Sequence, residues 1–238
     1  MPGGYYTALS GMRTRLDALD RLASDIANAS TAGYKAERAG TVQADRPSFG
    51  EALQSAVDVT RGAAKLDLRS GAVASTGRSL DLAIQGPGFF VIDTAAGPRY
   101  TRNGHFVRRA DGVLATDTGD AVQGTSGPIR IESSAVEVEA DGTLRHAGAI
   151  VGTLKVVEFD PGAPLVREGA SRFASAGQPR KVERPSIASG ALEQANVSIV
   201  DRVAELTEVT RSFDTLVRAV SVLMNDVDSR AITELGRR

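Results

Sequence analysis

The chain has 238 residues, 28 of them basic and 29 acidic, a formal net charge of −1, and no cysteine. This balance gives no electrostatic ground for a nucleic-acid partner or an anionic membrane, and the lack of cysteine excludes disulfides and thiolate chemistry. No stretch approaches the ~20 apolar residues of a membrane span, and Met1–Asp20 lacks the apolar core of a cleaved secretory signal. The sequence therefore predicts no membrane insertion, and either a cytoplasmic location or export by a route that reads no cleaved signal.

Tyr5 to Ala29 reads as a first helix, ended by Ala32–Gly33, since glycine commonly follows a helix C-terminus. Along it Leu9, Met12, Leu16, Leu19, Ala23 and Ile26 recur at alternating intervals of three and four, a heptad seam. Residues 35–70 have no clean period. Pro47 and Gly50 break the first half, and Glu51–Val59 fits a short helix. The span reads as an extended or partly disordered connector.

The texture changes at Gly71. Of the 25 glycines, 17 lie between Gly71 and Gly190, as a turn-rich β domain requires. Leu80, Leu82 and Ile84 alternate with polar or small residues, and Phe89–Ile92 is a short apolar run fit for a buried strand. Asn103–Gly104, Asp111–Gly112 and Asp141–Gly142 are turn dipeptides that supply the positive φ of tight hairpins. Ile129/Ile131, Val136/Val138 and Leu154/Val156 give further alternating pairs. Pro161–Pro164 and Gly177–Pro185 read as loops.

Ala191–Thr233 contains neither Gly nor Pro. Ile199, Val203, Leu206, Thr210, Phe213, Val217, Val220, Met224 and Val227 follow one another at four and three, with Thr210 the one polar member. The segment predicts a helix of roughly 60 Å at about 1.5 Å per residue. A stripe like this is by default the core-facing side of a helix. Here it is long and strictly spaced, and the intervening domain has its own strand core. Pairing of the two terminal helices buries one seam on each. Val209, Leu216 and Leu223, which widen the stripe, are then expected to stay exposed and to mark partner contacts. The predicted class is α+β: residues 1–34 an N-terminal helix, 35–70 a connector, 71–190 a β-rich domain and 191–238 a C-terminal helix, with the terminal helices pairing as a coiled-coil-like bundle.

No catalytic set emerges. The two histidines, His105 and His146, lie in strand-and-turn stretches without a positioned partner in the sequence. They also give no zinc spacing. Gly86–Pro87–Gly88 leads into an apolar strand and not into the helix N-terminus that phosphate binding needs. Arg99, Arg102, Arg108 and Arg109 lack interleaved aromatics and read as a solvated hairpin face. No catalytic residue, metal ligand or cofactor is predicted.

Several stretches resemble the flagellar axial proteins of rod and hook. Tyr6-Thr7-Ala8-Leu9-Ser10-Gly11 is similar to their opening, and Asn28-Ala29-Ser30-Thr31-Ala32-Gly33-Tyr34-Lys35 to the motif that ends their first helix. Leu80 to Phe90 resembles the first strand pair of their β domain. Tyr100-Thr101-Arg102-Asn103-Gly104 and Asp111-Gly112-Val113-Leu114 follow in the family's order. Ser189 to Val197 is similar to its lead-in to the C-terminal helix. Length and a small β domain match the basal-body rod proteins better than the larger hook protein, and Ile232 to Arg237 resembles the proximal rod type more than the distal.

This resemblance implies a structural subunit. The terminal helices line a tube, the β domain sits outside it, and copies stack head to tail without closing. Partners are then itself, other rod proteins and the flagellar export apparatus, with no cleaved signal and no reaction. The implied assembly interface is the two seams, together with Asn28, Gly33, Tyr34 and Asn196 from the flanking motifs. Two positions depart from the family pattern: Asp25 where asparagine is usual, and Thr210 where glutamine is usual. A distal rod or hook-like subunit, an envelope hydrolase, and a β-rich adaptor with helix-binding termini stand as the alternatives. The hydrolase needs two carboxylates about 5–10 Å apart, and the sequence singles out no such pair.

Overall fold

A computed structural model describes residues 2–38, 65–133, 136–160 and 162–235; side chains of the terminal helices are described from Leu9 to Val222. The expected helix at Glu51–Val59, and Pro161, lie outside the described residues. The chain is α+β: a helix at each end and an antiparallel β-rich region between them. It divides into two compact units. One gathers Met1–Ala27, Glu37–Lys65 and Ser198–Arg238, the other Asn28–Ala36 and Leu66–Val197.

The first unit holds helix α1, Pro2–Ala27, and helix α2, Ile199–Leu235. The α2 helix starts eight residues later than its Gly- and Pro-free sequence suggests. Residues Ala191–Glu193 form a strand instead, paired with Val73–Ser75. Backbone N–H groups of Ala191 and Gln194 donate to Asp81 and Ala72, partners that a helix would have to give up. The start is marked by Ser198, whose Oγ accepts from the Asp201 N–H at 3.4 Å, an N-cap arrangement. The α1 helix ends two residues early because the Asn28 carbonyl turns to accept the Thr31 N–H at 2.9 Å.

In the second unit the largest sheet runs Leu165–Glu168, Arg172–Ser175, Gly97–Thr101, Phe89–Thr94, Ala121–Gly124, Leu114–Thr116, Phe106–Arg108, all pairs antiparallel. Strand Val156–Glu158 pairs with Phe89–Phe90 and with Arg180–Lys181. That last strand corrects the reading of Gly177–Pro185 as loop. Thr143–His146 is the centre of a separate three-stranded sheet with Glu137–Val138 and Ala149–Thr153.

The first four residues of strand Phe89–Thr94, Phe89–Ile92, are apolar without alternation because both sheet faces are covered there. Phe90 and Ile92 join Leu82, Phe106, Leu114 and Val122 in one core. Phe89 and Val91 join Tyr100, Val157 and Phe173 in the other. The aromatic rings meet edge to face, Phe90 on Phe106 at 5.2 Å and Phe89 on Phe173 at 5.6 Å.

The turn dipeptides divide into two kinds. Asp111 and Asp141 each accept the N–H two residues on, at 3.2 and 2.9 Å, and Gly112 and Gly142 have φ of +82° and +85°. Asn103 makes the same local bond to His105 N–H at 3.0 Å. Gly104, however, is not in the positive-φ region, contrary to expectation. It is needed because the Leu82 carbonyl would lie 1.7 Å from any Cβ there.

Gly33 combines both demands, with φ of +69° and the Asn103 nitrogen 2.2 Å from a Cβ placed on it. Gly33→Ala is expected to destabilise the second unit by more than the ~1–3 kcal/mol of left-handed strain, read as a lowered urea midpoint of the β-sheet circular dichroism signal.

Candidate functional site

In the helical unit α1 and α2 lie side by side and antiparallel. Gly11 faces Leu216, where an added Cβ would stand 3.6 Å from Cδ1. Arg15 Nε donates to Ser212 Oγ at 3.1 Å, and Arg202 forms an ion pair with Asp25 at 3.3 Å. As one number rises the other falls by the same step, so a single register runs along the pair. Inward positions on α1 are Gly11, Arg15, Ala18, Leu22 and Asp25; on α2 they are Arg202, Leu206, Val209, Phe213, Leu216 and Val220. Both sets keep the four–three rhythm.

These inward rows share only part of the sequence-read seams. Leu206, Phe213 and Val220 are half-buried, as are Met12, Leu19 and Ile26. Leu9, Leu16, Ile199, Val203 and Val217 are 39–52 % exposed, and Ala23 is exposed too. Val209 and Leu216, expected to stay exposed, are half-buried on the inward face. The helix explains the exchange: 3.6 residues per turn and a broad apolar arc allow two neighbouring rows, and the row containing Arg202 is the one whose charge finds Asp25. Side chains of Leu223, Met224 and Val227 lie outside the described residues.

The flanking-motif residues belong to the β-rich unit. Gly33 and Tyr34 are buried, while Asn28 and Asn196 are half-buried. There the stretch 33–36 runs beside 193–196. Gly33 N–H donates to the Glu193 carbonyl at 2.8 Å, Asn196 N–H to Tyr34 O at 3.3 Å, and Ala36 N–H to Asn196 Oδ1 at 2.8 Å. Asn196 Nδ2 reaches Asp67 O at 2.7 Å. The Arg167 guanidinium lies 4.4 Å over the Tyr34 ring and donates to its hydroxyl at 2.6 Å.

Glu193 is the centre of this clasp. Its carboxylate receives Lys35 Nζ at 2.5 Å, Arg102 at 3.0 Å and the Gly71 N–H at 3.0 Å. All three charged side chains are at most 4 % exposed. Further donors go to carbonyls, Lys35 to Arg69 at 2.7 Å, Arg102 to Gly86 at 2.6 Å and to Ile84 at 3.3 Å, while the buried Arg102 Nε makes no hydrogen bond. Burial pushes both the Lys35 ammonium and the Arg102 guanidinium below their ordinary pKa, against the pull of Glu193. Arg102 is thus not part of a solvated face. Its role was hidden because the sequence does not show that Tyr100-Thr101-Arg102 passes close to Ala191-Leu192-Glu193.

His105 Nδ1 sits 2.9 Å from the buried Asp81 carboxylate, which also accepts from Thr76 at 2.7 Å. Arg78 stands 3.2 Å from both ring nitrogens. His105→Ala is expected to cost about 1.5–3 kcal/mol of stability, the worth of a hydrogen bond to a charged group, seen as earlier urea unfolding. His146 ends a strand of the three-stranded sheet. Among the described residues no group of three metal-ligating side chains comes together, and no helix is long and apolar enough to cross a membrane.

Residues 6–35 match the family described as flagella basal body rod protein. Residues 83–146 match the D1 domain of the flagellar hook protein FlgE/F/G family. The flagellar basal-body rod proteins FlgF of Rhizobium meliloti and Mesorhizobium japonicum are each 33 % identical to this chain; the matches cover 99 % of both chains and 100 % of both chains, respectively. FlgG of Bacillus subtilis is 32 % identical over 87 % of this chain and 90 % of its own. With one motif in the α1 region, another in the β-rich region and full-length identity above 30 %, the chain belongs to the flagellar basal-body rod protein family.

Proposed function

We propose that this chain is a non-catalytic building unit of the flagellar rod, of the proximal type, and that it polymerises through its terminal helices. The full-length FlgF matches favour the proximal over the distal type. The observation that carries the assembly reading is the second, outward apolar row: Leu9 and Leu16 on α1, Ile199, Val203 and Val217 on α2. The inward row already pairs α1 with α2, so the outward row is available to neighbouring copies and other axial subunits. Further copies would extend this pair into a coiled-coil layer lining a tube, with residues 71–190 forming the outer β domain. Asn28, Gly33, Tyr34 and Asn196 act on this interface indirectly, by fixing the chain where it leaves each helix. Torque passes through a packed tube, and no bond is made or broken. Export proceeds through the flagellar secretion apparatus.

Deleting the gene and complementing it tests the reading. The deletion strain is expected to be non-motile, and complementation should restore swimming and place the chain in isolated basal bodies. Swimming by the deletion strain, or absence of the chain from basal bodies, would contradict it.

A further inference from the structure

We infer that the ion pair between the buried Asp25 and the half-buried Arg202 sets the register in which the two terminal helices pair. The inference rests on the pairing of α1 with α2 and holds whatever larger assembly they enter.

Apolar packing alone leaves the register open. On α2 the inward face repeats at seven, with Leu206, Phe213 and Val220 in one row and Val209 and Leu216 in the other. Sliding α1 by seven residues toward the α2 C-terminus places Ala18 where Gly11 stood, opposite Leu216. The apolar environment barely changes, but the polar partners do. Asp25, 2 % exposed, moves from Arg202 to Val209, and Arg15 moves from Ser212 to Ala219. The slide takes the buried carboxylate away from the arginine across the helix pair and sets it against an apolar side chain, which is disfavoured, so charge opposes the slide where shape does not. A single buried polar position specifying register is the best-attested use of such groups in paired helices. Arg202 is held in place by a second bond, to Glu205 at 2.6 Å one turn on. The polar hollow beside the pair is lined by Arg21, Glu37 and Arg38 in addition to Asp25, Arg202 and Glu205. The carboxylate of Asp25 thus stands directly across the helix pair from an arginine.

The competing account is the clasp around Glu193, which holds 33–36, the stretch after α1, beside 193–196, the stretch before α2. Disulfide trapping separates the two accounts, and the chain has no cysteine of its own to confuse it. A seven-residue slide is about 10 Å at ~1.5 Å per residue, beyond the ~4 Å Cβ separation of a disulfide. Gly11→Cys with Leu216→Cys reports the observed register, and Ala18→Cys with Leu216→Cys the slipped one. Both pairs are oxidised in the full-length chain, purified and in isolated basal bodies.

With Asp25 and Arg202 intact, only the first pair is expected to cross-link. With Asp25→Ala and Arg202→Leu together, which keep the interface apolar and packable, the second pair should cross-link to within about threefold of the first. The exchange Asp25→Arg with Arg202→Asp should restore the first pair alone. Persistence of the first pair alone in the apolar background would assign register to the clasp and overturn the inference. No cross-link from either pair with Asp25 and Arg202 intact would overturn the helix pairing beneath it.

Discussion

Glu193→Gln is expected to destabilise the β-rich unit by about 3–5 kcal/mol, the cost of breaking a buried ion pair from one side. The carboxylate is 1 % exposed and faces two buried cations, Lys35 and Arg102. An amide keeps the shape and can still accept the Gly71 N–H, but it removes the carboxylate that both cations contact. Lys35→Met should cost clearly less. Glu193 would keep Arg102 and Gly71, and burial already disfavours the Lys35 charge. Urea unfolding followed by β-sheet circular dichroism measures both. A Glu193→Gln loss below about 1 kcal/mol, or an equal loss for Lys35→Met, would remove Glu193 from the centre of the clasp.

Val217→Asp separates folding from assembly. Val217 is 39 % exposed on the outward face of α2, so a carboxylate there stays hydrated in the single chain. The expected change in stability is within about 0.5 kcal/mol, as for surface substitutions generally. At a subunit contact the same carboxylate would be buried without a partner. Swimming should therefore be lost while purified protein keeps its circular dichroism and urea midpoint. Leu16→Asp, 48 % exposed on α1, should behave in the same way. Leu22→Asp, by contrast, at 4 % exposure on the inward face, should damage the helical unit itself. Normal swimming with Val217→Asp would mean the outward row touches nothing that matters.

The elements were legible where period and turn chemistry are local. The heptad spacing announced both helices, and Asp111–Gly112 and Asp141–Gly142 announced their hairpins. Phe89–Ile92 announced a strand buried on both faces. What was illegible depends on contacts distant in sequence. Ala191–Glu193 has no helix breaker, yet it is a strand because Val73–Ser75 lies beside it. Arg102 reads as one of four surface arginines until Glu193 is brought to it from 91 residues away. The seams were found but their inward face was misjudged, because an apolar arc wide enough for two rows does not say which row a partner takes. Asp25 and Arg202 decide that, and their pairing is visible only when the two helices are set side by side.

The most direct test of assembly through the outward row is cysteine protection. Val203→Cys and Val217→Cys introduce single thiols into a chain that has none, at positions 46 % and 39 % exposed. A maleimide reagent is applied to the purified monomer and to intact basal bodies. Rapid labelling of the monomer with strong protection in the basal body is the predicted result. Equal labelling of both forms would contradict assembly through these helices.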